Sequence, residues 1–358
     1  MLDRARVLRD DLRDRPGQTQ VAVGDPADVD EQSDEEYAAL STDEQIAFLS
    51  DIAGEGAQGF GLEPVQIDLA RHAFNTTFRV RTADRATVAV RVNTNSVSAP
   101  AHIRAQHSWM RSLAAQTELR LPVPIQTPSG EDLAVVSRTG HDHLVVAATW
   151  LEGDEVEECN IVQARMLGAA MGVMHEHATG WAVPEGADLA TFSDPFFGDE
   201  DRLRGAYADR PEDLALVEWS LARCQAALSD ALSCGPRIVI HGDLHGGNLL
   251  WHEGVLAVLD FDDCGVAVPA LDLAVAIFYL RGSDPRIEDA LREGYAGARQ
   301  PPGGEGDDFE ALVACRQLLL ANDLLRSRTP ELRALSAPYL DRTVERLGRW
   351  RETGRFTL

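Results

Sequence analysis

Residues 240–250 read IHGDLHGGNLL and follow directly on the apolar residues Ile238-Val239-Ile240. His241, Asp243, His245 and Asn248 crowd into eight positions. Such a cluster suits two chemistries. It is either a metal cage built on His and Asp, or a catalytic loop in which a carboxylate faces a reacting group. The first describes an enzyme that removes phosphate, the second an enzyme that transfers it.

The cage reading runs short of ligands. Gly-Asp-Leu-His-Gly also opens a binuclear metallophosphatase signature, which needs further carboxylates and a second His-rich segment downstream. Beyond His252 the chain holds no His at all. The transfer reading finds its parts. Asn248 stands five residues after Asp243, and Asp260 comes twelve residues later, at the end of the apolar run in VLAVLDFDD. Protein kinases show His-x-Asp, then four residues and Asn, then Asp-Phe-Gly. The corresponding pieces are His241-Gly242-Asp243, Asn248 and Asp260-Phe261-Asp262. A carboxylate beside an incoming hydroxyl accepts its proton as the bond to phosphorus forms. The oxygens of Asn248 and Asp260 are the hard donors that Mg2+ prefers. Asp262 stands where protein kinases have Gly, and either touches a second metal or is a solvated strand end.

Together, HGDLHGGNLLW, LAVLDFDDCG and ALDLA resemble the aminoglycoside phosphotransferase/choline kinase superfamily, and within it the homoserine-kinase-type and stress-response-kinase-A-type branch. The resemblance covers about residues 36–350. It implies an α+β, protein-kinase-like two-lobe fold, with a small antiparallel-sheet lobe over 35–149 and a larger helical lobe over 150–358. It implies ATP and Mg2+ as cofactors, Asp243 as base, and Asn248 and Asp260, with Asp262, at the metal. In TVAVRV, Arg91 takes the place of the usual third-strand Lys and would fork to the α/β-phosphates. Asn75 and Thr76 in HAFNTTF would cover the phosphates. Thr149 and Leu151 in ATWLEG would belong to the connector whose backbone meets adenine. Gln106 falls where the family pairs a Glu with the basic residue, a departure that turns an ion pair into at best a hydrogen bond. His241 would brace the loop, and His245 is either a supporting residue or a substrate contact. Asp263 and Asp272 read as acceptors for backbone N–H groups, His175 and His177 as satisfied helix-end histidines, and Cys264 as packing.

Length and composition agree. A chain of 358 residues suits two lobes. The net charge is −25, and all 33 basic residues are Arg, so no step here uses a lysine. An acidic surface repels nucleic acid and anionic membranes, and weakly favours a cationic acceptor. No apolar stretch is long enough to span a bilayer, and MLDRARVLRDDLRDR lacks the apolar core of a signal peptide. Five Cys without a C-x-x-C read as reduced thiols of a cytoplasmic protein.

Residues 1–34 read as a mobile acidic extension. A helix is expected from Glu35, with Thr42 as a candidate cap and Gly54 and Gly56 as candidate ends. PVQIDLA, NTTFRVRT and ATVAVRV predict three antiparallel strands; LPVPIQT, DLAVVSR and HLVVAATW predict more. Helices are expected over 99–116, over 160–181 with Leu167, Met171 and Met174 on one face, and up to Cys234. Strands are expected at 237–240, around NLLWH and at VLAVLD, then helices to Arg351 with one break at QPPGGEGDD.

The resulting expectation is an ATP- and Mg2+-dependent phosphotransferase acting on a hydroxyl of a small molecule: an antibiotic or aminoglycoside, homoserine or a related amino alcohol. The acceptor would lie between the quoted loop and helices within 190–230 and 300–345. The rival readings are a Ser/Thr protein kinase of the stress-response type, a nucleotide-binding module without turnover, which Gln106 motivates, and the metallophosphatase.

Overall fold

The computed structural model describes residues 37, 40–72, 75–94, 99–138, 140–282, 284–303, 306–327 and 330–358. The extension expected over 1–34 lies outside them. The described residues fall into two compact units. The first takes those of Met1–Ser96, Ile125–Trp150 and Ser327–Pro338, the second those of Val97–Pro124, Leu151–Arg326 and Tyr339–Leu358.

The first unit is an antiparallel sheet with one long helix on it. Helix α1 (Thr42–Gly59) begins at a capping box: the Ser41 hydroxyl accepts the Glu44 N–H, and the Glu44 carboxylate accepts the Ser41 N–H at 2.8 Å. The cap is therefore Ser41 and not Thr42. The helix also runs through Gly54 and Gly56, which were expected to end it. Leu49, Ile52, Ala53, Ala57 and the following Phe60 form a buried stripe on the sheet, and that burial outweighs the cost of about 1 kcal/mol for each helical Gly.

The strands are β1 (Pro64–His72), β2 (Thr76–Thr82), β3 (Thr87–Val92), β4 (Pro124–Ile125), β5 (Ala134–Arg138) and β6 (His141–Thr149), in the order β1-β2-β3-β6-β4 with β5 on β6. Phe78, Val80, Val88, Val90, Val145 and Ala147 alternate inward against α1. Each Phe and Val among them contributes about 1.5–3 kcal/mol by leaving water. The strand expected over LPVPIQT shrinks to Pro124–Ile125, because Pro122 and Pro124 have no N–H for a ladder.

Helix α2 (Pro100–Gln116) was expected in the sheet lobe but belongs to the second unit. Its buried face explains this: Trp109 meets Phe261 edge-on at 5.6 Å, and Gln106 and His102 bond Asp262.

The rest of the second unit is mainly helical. After β7 (Asp154–Glu155) comes α3 (Ile161–Gly180), capped by Asn160 and burying Leu167, Met171 and Met174 on one face as the spacing predicts. Then follow the short α4 (Leu203–Ala206), α5 (Pro211–Cys234), β8 (Ile238–Ile240), one 3-10 turn at Gly246–Asn248, β9 (Leu249–His252), β10 (Val255–Val258) and β11 (Gly265–Ala267). The chain ends in α6 (Pro269–Leu280), α7 (Pro285–Ala298), α8 (Asp307–Arg326), α9 (Pro330–Ala334, in the first unit) and α10 (Ser336–Thr353). The helical tail is thus broken more often than at QPPGGEGDD alone. Helix α8 is buried without interruption from Ala311 to Leu324, which marks it as a central helix of the unit. Among the described residues, no helix is long and apolar enough to cross a membrane.

Candidate active site

The site grows out of two small ladders. Strand β9 pairs with β10 from Leu249↔Val258 to His252↔Val255. The two-residue turn Glu253-Gly254 has φ of 50° and 85°, the mirror-image geometry that suits the twist of a hairpin. Strand β8 pairs with β11, Ile240 opposite Gly265. The loop from His241 to Asn248 leaves β8 and enters β9, so its two ends are pinned by different ladders.

Gly242 makes the loop's first turn. Its φ is 79°, and a Cβ there would sit 2.3 Å from the Asp263 carbonyl oxygen, so no other residue fits. The next constraint comes from Asp272, in the first turn of α6. Its Oδ2 accepts the His241 N–H at 3.1 Å and its Oδ1 accepts the Gly242 N–H at 2.8 Å. His175 Nε2 stands 3.0 Å from Oδ2, and His175 Nδ1 stands 3.0 Å from the Tyr295 hydroxyl. Burial alone would raise the Asp272 carboxyl. The His175 hydrogen bond and, less strongly, the Gly242 N–H overcome it and hold Asp272 below its ordinary value. Burial pushes the Tyr295 phenol up to about 12, so it stays protonated beside His175. Asp272 is thus the backbone acceptor that the sequence suggested.

Both loop histidines bond the backbone around the loop. His241 Nδ1 accepts the Asp243 N–H at 3.3 Å, and its Nε2 donates to the Leu259 carbonyl at 3.0 Å. His245 Nδ1 accepts the Gly247 N–H at 3.0 Å, which leaves the proton on Nε2, 3.6 Å from Asp243 Oδ2. Both therefore brace the loop.

Asn248 donates from Nδ2 to the Asp243 carbonyl at 2.9 Å and to Asp243 Oδ2 at 3.2 Å. Its own carbonyl accepts the Leu259 N–H at 2.8 Å. Asp260 comes next, at φ 59°, a left-handed conformation that Asp tolerates better than most residues. One hairpin and three hydrogen bonds thus bring Asp243, Asn248 and the Leu259-Asp260 segment together.

Asp262 is buried, and its Oδ1 accepts from Gln106 Nε2 at 3.1 Å. Gln106, which stands in sequence where the family pairs a Glu with the basic residue, thus directs its amide donor at Asp262. It lies one turn from His102, whose Nε2 meets the Asp262 carbonyl at 2.9 Å. Cys264 is fully buried; burial first, then Asp262 and Asp263, raise its thiol well above the ordinary range, so it is packing and not a nucleophile.

The remaining expected residues lie along the first unit. Arg91 sits in β3, opposite Thr77 of β2 and Val146 of β6. Asn75 and Thr76 are buried: Asn75 Oδ1 accepts the Thr94 N–H at 3.0 Å, and the Thr76 hydroxyl meets His72 Nδ1 at 2.8 Å. Thr149 closes β6 opposite Val88, and Leu151, just beyond it, belongs to the second unit.

One residue escaped the sequence reading. Arg316, buried within α8, bonds Asp243 Oδ1 through Nη2. The signal was there: a guanidinium inside LVACRQLLLAND needs a reason.

The donors suit Mg2+. Asn248 and Asp260 supply an amide and a carboxylate oxygen from linked segments, and five carboxylates (Asp243, Asp260, Asp262, Asp263, Asp272) lie within thirty residues of chain. A divalent cation bound there would offset the part of that charge that Arg316 does not.

A sheet unit carrying one long helix, joined in sequence to a helical unit with this loop, defines a protein-kinase-like α+β enzyme class. The phosphotransferase enzyme family model matches residues 68–307, two thirds of the chain. The chain belongs to that family and is a phosphotransferase with an alcohol group as acceptor. Solved structures share the fold. A microcompartment-associated aminopropanol kinase superposes with a TM-score of 0.67 at 19% identity, over 86% of this chain and 98% of that one. The amicoumacin kinase hAmiN, in complex with AMP-PNP, Ca2+ and Ami, gives 0.65 at 17%, over 88% and 96%. A spectinomycin phosphotransferase in complex with ADP and spectinomycin gives 0.58 at 16%, over 84% and 96%. No curated protein sequence matches the chain.

Proposed function

We propose that the protein is an ATP- and Mg2+-dependent kinase that moves the γ-phosphoryl group of ATP to a hydroxyl of a small molecule: an antibiotic or aminoglycoside, homoserine or a related amino alcohol. One observation carries this reading. Asn248 holds the carboxylate of Asp243 at 3.2 Å while its backbone carries the segment that leads into Asp260. Asp243 accepts the acceptor hydroxyl's proton as oxygen bonds to the γ-phosphorus. The bond from that phosphorus to the bridging oxygen breaks, and ADP leaves with the electron pair. Asn248 and Asp260 would hold Mg2+, which supplies charge neutralisation on the phosphates when bound, and Asp262 would face a second ion. Arg91, Asn75, Thr76, Thr149 and Leu151 take the nucleotide roles that the resemblance implies. Solved structures of the same fold bind AMP-PNP and ADP, which supports ATP as donor. The reading carries with it a cytoplasmic protein with no nucleic-acid or membrane partner.

The test is a panel of hydroxylated metabolites, antibiotics and Ser/Thr peptides, incubated with the protein and Mg·ATP and read by ADP release. A small alcohol that drives release well above the water background, with Asp243→Asn silent, supports the proposal. Turnover on peptides alone makes the enzyme a protein kinase, and no release with any acceptor leaves a nucleotide-binding module.

A further inference from the structure

A guanidinium in a dry interior must be paired or it is not tolerated. Arg316 lies in the middle of α8, where every residue from Ala311 to Leu324 is buried, and its side chain has no exposed surface. Each face of its fork has a partner. Nη2 donates to Asp243 Oδ1, and Nη1 lies 3.9 Å from Asp263 Oδ2. Nε donates to the Tyr279 hydroxyl at 3.0 Å, and the Tyr279 ring centroid lies 5.5 Å from Cζ. The Tyr279 ring also packs on His245, with centroids 4.5 Å apart.

The other oxygen of Asp243 is held from a different side. Oδ2 accepts from Asn248 Nδ2 at 3.2 Å and has His245 Nε2 at 3.6 Å. The terminal torsion of an Asp side chain is broad, so one bonded oxygen leaves the carboxylate plane loose. Two oxygens bonded from opposite sides define that plane. A fork bonded through both Nη2 and Nε does this as a point-like ammonium cannot.

We infer that Arg316 is a positioning residue for phosphoryl transfer, which sets the plane and reach of the Asp243 carboxylate from the α8 side while Asn248 sets it from the loop side. The inference rests on the reading of Asp243 as the base. It makes α8 part of the catalytic apparatus without any contact of its own with the transferred group. Preorganisation of this kind acts on the rate of the chemical step, and a misplacement of about 1 Å costs about 100-fold.

The test compares Arg316→Met, Arg316→Lys and Tyr279→Phe in the full chain, with ADP release from Mg·ATP as readout in the presence of the acceptor panel. For Arg316→Met, kcat is expected to fall about 100-fold while KM for ATP stays within about twofold. Arg316→Lys recovers part of the loss, and Tyr279→Phe, which frees only Nε, costs a few-fold in kcat. If Arg316→Met does not fold, Arg316→Lys and Tyr279→Phe decide. Wild-type kcat in both, or equal losses in kcat and ATP affinity, overturns the proposal. Wild-type turnover by Asp243→Asn alone defeats the base assignment instead, whatever Arg316 does.

Discussion

Replacing Asp272 by Asn keeps the shape of the side chain and removes its charge and one acceptor. The carboxylate is fully buried and serves three donors: His241 N–H at 3.1 Å, Gly242 N–H at 2.8 Å and His175 Nε2 at 3.0 Å. An amide has one oxygen, so its NH2 group must face at least one of those N–H groups. Hydrogen bonds to a charged partner contribute about 1.5–3 kcal/mol each. Losing one and weakening another costs about 3–5 kcal/mol, the range seen when a buried pair is broken. That is a large share of a total of about 5–15 kcal/mol. The pH dependence has a definite sign. The folded-state pKa of Asp272 lies below its ordinary value of 3.8, so its contribution is complete above that value and disappears as pH falls through the folded-state value. Urea unfolding of wild type and Asp272→Asn should therefore differ by a constant amount near neutrality, with the gap closing in acid below about pH 4. Turnover by ADP release should fall about 10–100-fold, since the first two amides of the loop lose their anchor. A variant as stable as wild type at pH 7, or a gap that widens in acid, would refute this account of the loop.

Other outcomes follow from the same geometry. Gly242→Ala should destabilise the protein by about 1–3 kcal/mol in urea unfolding and abolish ADP release, because both its φ of 79° and the Asp263 carbonyl oppose a Cβ. Asp260→Ala should raise KM for Mg·ATP about tenfold or more in steady-state assays, while Asp243→Asn leaves nucleotide affinity in calorimetry nearly unchanged. Ser41→Ala should lower stability in thermal melts by about 1 kcal/mol, through loss of the α1 cap, with kcat unaltered.

Much of the architecture was legible because it is periodic. RVRT and TVAVRV lie in the strands expected of them, and the spacing of Leu167, Met171 and Met174 names a face that is buried as expected. The Asp243–Asn248 pair was legible because its spacing is local. What escaped was long-range. Arg316 reaches Asp243 across 73 residues, and Gln106 reaches Asp262 across 156; no local period encodes either contact. The helix ends were misplaced for a different reason. Ser41 and Thr42 are both competent caps, and only the Glu44 side chain that folds back on Ser41 chooses between them.

The two-oxygen grip of Asp272 on consecutive amides has a dynamic consequence. His241 and Gly242 N–H groups answer to one helix-borne acceptor and to no strand ladder, so they should exchange with deuterium together, at a rate set by the opening of α6. Their protection would report the integrity of α6 from inside the reaction centre, and would vanish for both at once if that helix frayed at its amino end.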